Sequence, residues 1–434
     1  MLWSVSALTN SKRLDRIVMR IILTLVVAWA VAGCQESSGA PTVVQFWAMG
    51  REGEVVRQLI PDFERAHPDV RVEVQQLPWS AAHQKLLTAF AGEALPDVAQ
   101  LGNTWLPEFA ALHALDPVAP SAVDAGDYFP GIWQTNVVDQ TAYGLPWYVD
   151  TRLLFYRRDL LAEAGYARPP ATWAEWTDML RAIKQRVGPD RYGALLPLNE
   201  YEPLLAFALQ QQAPLLRDGD TRGNFRSEDF KRALRFYREM FDNGFAPATS
   251  ANQISNVWDE FARGTFTFYI TGPWSIGEFK RRLPESLQAS WMTAPLPGPE
   301  GASYSIAGGS SLVVFKDSPR KKAAWQFVQY LSQRDVQLRF HALTGNLPPR
   351  RSAWNDERLR QDPHARAFRE QLERVKPAAK VPEWERIATE MQQVAEHMVQ
   401  GSGLTVDQAA TEIDRRADRI LEKRRWLLAR KEQP

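Results

Sequence analysis

The sequence predicts an α/β protein in two lobes, and three observations predict it. Strand-like and helix-like segments alternate from about residue 43 onward. The alternation restarts near residue 150 with no Pro- or Ser-rich spacer, which suggests a hinge with a cleft beside it. The length of 434 residues, with 45% apolar and 24% charged, suffices for two or three domains with sizeable cores.

Val43 to Trp47 reads as a buried strand. Glu54 to Ala66 reads as an amphipathic helix carrying Val55, Val56, Leu59, Ile60 and Phe63 on one face, ended by His67-Pro68-Asp69. Val70, Val72 and Val74 alternate with polar residues, a strand of period two. Ser80 is placed to cap a helix running to Ala91, and Pro96-Asp97 leads into a short strand from Val98 to Leu101. This βαβαβ order implies a parallel sheet covered by helices. Past residue 150, Leu153 to Tyr156 is a strand and Asp159 to Ala164 a short helix. Thr172-x-x-Glu175 is a capping box opening a helix to about Val187. Ser227 caps another, with Phe230, Leu234, Tyr237 and Phe241 along one side. Thr265 to Thr271 is a β-branched and aromatic strand closed by Gly272-Pro273-Trp274, and Leu312 to Phe315 is a further strand. Ser318-Pro319 sets proline at the first position of a helix reaching Leu331, and Thr405-x-x-Gln408 is a second capping box, opening a helix to about Arg425.

Several function classes fall away on composition. Lys plus Arg is 52 against 51 for Asp plus Glu, so no net field draws in nucleic acid or an anionic membrane. One cysteine excludes a disulfide scaffold, a Cys-ligated zinc and an iron–sulfur cluster. The six histidines (67, 83, 113, 341, 364 and 397) never fall at metal-ligand spacing, so neither metal nor cofactor is expected. There is no G-x-S-x-G elbow, Walker A loop, H-E-x-x-H or dinucleotide fingerprint. A carboxylate pair at glycosidase spacing stays open.

Lys12, Arg13, Arg16 and Arg20 precede an apolar run from Ile21 to Ala32, too short to span a bilayer and typical of a secretory signal. The run ends at Val31-Ala32-Gly33-Cys34, which resembles the bacterial lipobox. The resemblance implies removal of 1–33, diacylation of Cys34 and a flexible tether over 34–41, with Met19 an alternative start. Without 1–33 the chain is slightly negative, and lipidation of Cys34 leaves no free thiol for catalysis.

A series of segments resembles the extracellular solute-binding proteins of carbohydrate ABC transporters. These are Pro96-Asp97-Val98 with Asn103-Thr104-Trp105, and Tyr143 to Thr151 running into Leu154 to Leu161. Gly272-Pro273-Trp274, Gly308 to Val314, Thr344 to Arg350 and Pro382-Glu383-Trp384 follow in the family's order. The resemblance implies a type II periplasmic-binding-protein fold whose chain crosses three times between lobes, near 149–151, 303–306 and 347–350. The lobes are then 42–149 plus 305–348, and 150–304 plus 349–434. It further implies a non-enzymatic, monomeric receptor outside the cytoplasm, anchored through Cys34. Such a receptor hands a sugar, expected to be an oligosaccharide, to transmembrane permease subunits powered by separate ATPases.

The residue types suit such a ligand. A pyranose has an apolar C–H patch for an aromatic plane, worth about 0.5–1.5 kcal/mol by analogy with aromatic pairs. Its hydroxyls want fixed polar partners, at about 1.5–3 kcal/mol for each charged one. Two stacks and three such bonds give about 5–12 kcal/mol gross, against about 8 kcal/mol net for micromolar affinity. The stacking candidates are Trp47, Trp79, Trp105, Trp147 and Trp274, at or after strand ends, and Trp384, matching the family's late aromatic. The polar candidates are Glu52, Asn103, Tyr148, Asp150 and Arg350, Asp150 being equally placed to pair with Arg152. Gly308 and Gly309 suit either close approach of a ligand or a turn. The remaining readings are the same fold with a polyol, glycerol phosphate or peptide, a glycoside-cleaving lipoprotein, and a sensor subunit. Met49-Gly50-Arg51-Glu52 lacks the Asn-x-Asp pattern associated with maltose.

Overall fold

The computed structural model describes residues 40–431 except 187, 189, 212, 255 and 402. The leader, Cys34 and most of the tether lie outside them. β1 (Thr42–Met49) passes through α1 (Gly50–Val55), a short 3-10 turn and α2 (Ile60–Ala66) to β2 (Val70–Leu77). The apolar face expected over 54–66 is buried, as Val55, Val56, Leu59, Ile60 and Phe63 all belong to the core. The single helix expected there is broken, because Pro61 carries no N–H for the ladder and instead opens a new first turn. α3 (Trp79–Ala91) starts after Pro78, with Ser80 inside its first turn and not at its cap. β3 (Val98–Gly102) and β4 (Leu145–Asp150) follow.

The chain then leads directly into β5 (Leu153–Arg157). α4 (Trp173–Arg186) is capped by Thr172, whose Oγ1 accepts the Glu175 N–H at 3.1 Å. β6 (Tyr192–Leu195), α5 (Glu202–Leu209), α6 (Glu228–Asp242), β7 (Phe266–Thr271), α7 (Trp274–Arg282) and β8 (Trp291–Ala294) complete the second half. β9 (Ser305–Ile306), β10 (Gly308–Val314), α8 (Lys321–Leu331), α9 (Arg334–Thr344), β11 (Val375–Lys376), α10 (Trp384–Val399), α11 (Val406–Ile420) and α12 (Glu422–Lys431) close the chain. Ser227 and Thr405 cap α6 and α11, the latter in a complete capping box. Ser318 does not open α8: its hydroxyl donates to Asp97 Oδ1 at 2.6 Å and accepts from the Arg320 N–H, so it holds the preceding turn. The last helix, expected to run on to about Arg425, divides at Leu421.

Two larger sheets result, ordered β2-β1-β3-β10-β4 and β8-β5-β7-β6. Both are mixed, where the strand–helix rhythm suggested parallel pairing. β10 runs antiparallel to both β3 and β4, and β5 runs antiparallel to both β7 and β8. The other pairs, β1–β2, β1–β3 and β7–β6, are parallel. In each sheet the reversed strand is the one that has just crossed from the other sheet, so it starts at the shared edge and heads away. Apolar cores cover both faces of each sheet, as buried mixed sheets require. The connections between the sheets lie side by side: the Val149 N–H donates to Leu347 O at 3.0 Å, and the Ser305 hydroxyl donates to Arg152 O at 2.8 Å.

Candidate functional site

Between the sheets lies a cavity of about 540 Å³, within the usual range for small-molecule sites. One wall comes from the segments after β1, β2, β3 and α9 with the facing ends of β4 and β10, the other from the starts of α5, α7 and α10.

On the first wall Trp79 and Trp105 meet edge to face at 5.6 Å and 63°. Gly50, at φ +48°, lies against Trp79, where a Cβ would come within 3.0 Å of Cδ1. Behind Trp105 sits the His83 ring at 5.0 Å, its Nε2 2.7 Å from Glu108 Oε2. The two indoles are therefore packed from behind as well as against each other. Glu52 accepts from Asn346 Nδ2 at 2.7 Å. Burial pushes its carboxyl above the usual range, opposed by its backbone hydrogen bond, Asn346 and Trp79. The Tyr148 hydroxyl accepts from Gln100 Nε2 at 3.2 Å, and burial raises its pKa well above the usual phenol value, keeping it a neutral O–H. Asn103 Oδ1 accepts from Ser311 Oγ at 2.9 Å, while its Nδ2 is buried without a partner among the described residues.

On the second wall the buried Arg152 guanidinium donates to both oxygens of Asp150 at 2.7 and 2.8 Å and to Glu202 Oε1 at 2.8 Å. It also lies over the Trp274 ring, 4.8 Å from the centroid. Trp274 folds back on Gly272, where a Cβ would sit 1.8 Å from Cζ3, so the Gly-Pro-Trp sequence places an indole where only glycine leaves room. Burial pushes Asp150 up despite Arg152. Glu200 is pushed up to about 7 by burial, opposed by Arg152 and reinforced by Glu202 and Asp150. Burial also raises Glu385, opposed by Thr104 from the first wall.

Of the residues singled out from sequence, Glu52, Trp79, Asn103, Trp105, Tyr148, Asp150, Trp274, Gly308 and Gly309 line this cavity. Trp47, Trp147, Arg350 and Trp384 do not, and the expectation that they touch a ligand is corrected accordingly. Trp147 is buried and stacked on Phe340 at 4.5 Å; it is the residue skipped where the β4–β10 register shifts, and its buried neighbour Tyr148 reaches the cavity instead. Trp384 is fully buried in the core under α10, and its neighbour Glu385 faces the cavity instead. Trp47 packs with Lys85 over its ring at 4.9 Å. Arg350 is tied to Asp127 Oδ2 at 2.9 Å and to Ser332 O at 2.6 Å, fastening the third crossing. Gly308 and Gly309 turn out to be required by strand contact: a Cβ at Gly309, φ +120°, would sit 2.2 Å from Tyr148 O.

Arg51, Arg152, Glu202, Asn346 and Glu385 were not singled out as binding residues. Arg152 and Glu385 stand beside motif residues, which is a usable signal. Asn346 reaches the site from a position 294 residues away from Glu52, and no local pattern marks that pairing.

The sequence profile of the bacterial extracellular solute-binding proteins matches residues 48–338. The structure of the sugar-binding protein MalE from Xanthomonas citri is similar at 56% identity and TM-score 0.86, covering 91% of this chain and 100% of that one. An uncharacterized lipoprotein of Streptomyces antibioticus is 28% identical, covering 86% of this chain and 87% of its own. The diacetylchitobiose binding protein DasA of Streptomyces coelicolor is 25% identical over 62% of this chain and 64% of its own. With the two-sheet fold built around an interlobe cavity, these matches establish that the chain belongs to the bacterial extracellular solute-binding proteins.

Proposed function

We propose that the protein captures an oligosaccharide in the cavity between its lobes and delivers it, unaltered, to the permease subunits of an ABC importer. The observation that carries this reading is the lining: Trp79, Trp105 and Trp274 share one cavity with Glu52, Asn103, Asp150, Glu202 and Glu385. Indole surfaces take the C–H patches of sugar rings, and planar carboxylates and amides take the hydroxyls. The likeness to MalE and to a diacetylchitobiose binding protein supports a sugar. The lobes are taken as 42–149 plus 305–348 and 150–304 plus 349–434, with 1–33 removed, Cys34 lipidated and the protein held outside the cytoplasm. A ligand touching both walls favours the closed arrangement, the form that docks on the permease. Asp150 and Glu202 act as hydrogen-bonding groups held by Arg152, and not as an acid–base pair.

The test is a thermal-shift screen of soluble protein from residue 35 onward against neutral mono- and oligosaccharides. A ligand at one hundred times its Kd adds about 2.7 kcal/mol of stability. A panel of sugars that shifts nothing, while a peptide or polyamine does, overturns the reading. Chromatographic detection of cleaved sugar overturns the non-enzymatic part of it.

A further inference from the structure

We infer that Arg152 determines the specificity of the cavity: it presents its Nε–H to a ligand hydroxyl while Asp150 and Glu202 neutralise its charge, so the site takes uncharged sugars and rejects those bearing carboxylate or phosphate. The inference deepens the sugar reading above and rests on it.

A buried arginine facing a cavity with free forks is a receptor for carboxylates and phosphates. Arg152 is not free. Both oxygens of Asp150 take Nη1 and Glu202 Oε1 takes Nη2, so two carboxylates stand against one guanidinium. The cation–π contact with Trp274 fixes the plane of the fork. These bonds leave one Nη2–H and the Nε–H, and of the three nitrogens Nε is the one without a hydrogen-bond partner among the described residues, in a side chain only 6% exposed. A buried N–H without an acceptor carries a desolvation cost that a ligand oxygen removes. Asn103 Nδ2 is a second such donor at the cavity wall.

The other charges around the cavity are mostly acidic. Glu52 and Glu385 are acidic, and Glu278 is already paired with Arg281 and Arg282. Arg51 is exposed at the rim and donates to Leu343 O at 3.3 Å. A sugar acid entering here meets carboxylates, with the rim Arg51 the lining cation outside the Arg152 cluster, whereas a hydroxyl meets buried donors in need of partners.

Isothermal titration of the wild-type protein with maltose and cellobiose, and with digalacturonic acid and maltose 1-phosphate, tests this. The better neutral disaccharide is expected to bind at least a hundredfold more tightly than either anion. Arg152→Lys keeps the charge but loses Nε and the fork, and is expected to weaken the neutral sugar at least tenfold. Glu202→Gln removes one of the two carboxylates, leaving the guanidinium one-to-one with Asp150 and freeing an Nη2 donor, and is expected to narrow the neutral-to-anionic ratio at least tenfold. The ratio is read within one protein, so a general loss of stability does not move it, and Glu202→Gln decides should Arg152→Lys fail to fold. Equal binding of neutral and anionic sugars by the wild type, or an unchanged ratio in Glu202→Gln, overturns the assignment. Binding of no sugar at all overturns the sugar reading, and this assignment with it.

Discussion

Gly272 lies under the six-membered ring of Trp274, and the indole occupies the volume of the Cβ it lacks. Gly272→Ala should displace the indole and, through the shared cation–π contact, Arg152. Overpacking of this kind costs about 1–3 kcal/mol. Sugar affinity should therefore fall by about tenfold or more, read by quenching of tryptophan fluorescence in a titration. Glu200 makes a different claim. Folded, it holds its proton to about pH 7, whereas its ordinary value is 4.5. The folded state then binds more protons across that window, so this group's contribution to stability is full below about 4.5 and lost as pH rises through about 7. Glu200→Gln should flatten that fall, and midpoints of thermal unfolding at pH 5 and pH 8 for both proteins should show the difference. At this scale the sequence is half legible. Trp79, Trp105 and Trp274 could be placed because each follows a strand end. Trp147 and Tyr148 could not be told apart, since LPWYVD is buried along nearly its whole length and shows no polar alternation.

The elements were legible where caps and periodicity agree. Thr405 accepts the Gln408 N–H at 3.2 Å while Gln408 Oε1 accepts the Thr405 N–H at 2.9 Å. Thr405→Ala should cost about 1 kcal/mol, seen as a lower urea midpoint with unchanged slope. The failures share a cause. Ser80 and Ser318 have the right residue type for a cap, yet proline geometry at Pro78 and the pull of Asp97 on the Ser318 hydroxyl decide otherwise. The reversed strands β5 and β10 carry no local mark either. Their direction follows from where the chain comes from, which is a fact about topology that composition does not record.

For the whole molecule, the approach of α7 to the turn after α9 bears on closure. Gly277 in α7 faces the turn after α9, where a Cβ would lie 3.4 Å from Thr344 O and 3.6 Å from Gly345 Cα. A larger side chain there acts as a wedge. Gly277→Leu should enlarge the radius of gyration in solution scattering and weaken sugar binding, because a ligand must then also overcome the strain of closure. Opening to solution and affinity should change together; if affinity falls with no change in dimensions, the wedge account fails.

β10 is inserted between β3 and β4, although the chain makes those two strands first and β10 only at 308–314. During synthesis, β3 and β4 must wait with open edges through the whole of the second sheet before their common partner arrives. Such a long-range pairing is slow to form and exposed to wrong partners in the interval. A chain built in this order closes its first sheet last, after every strand of the second sheet has been made.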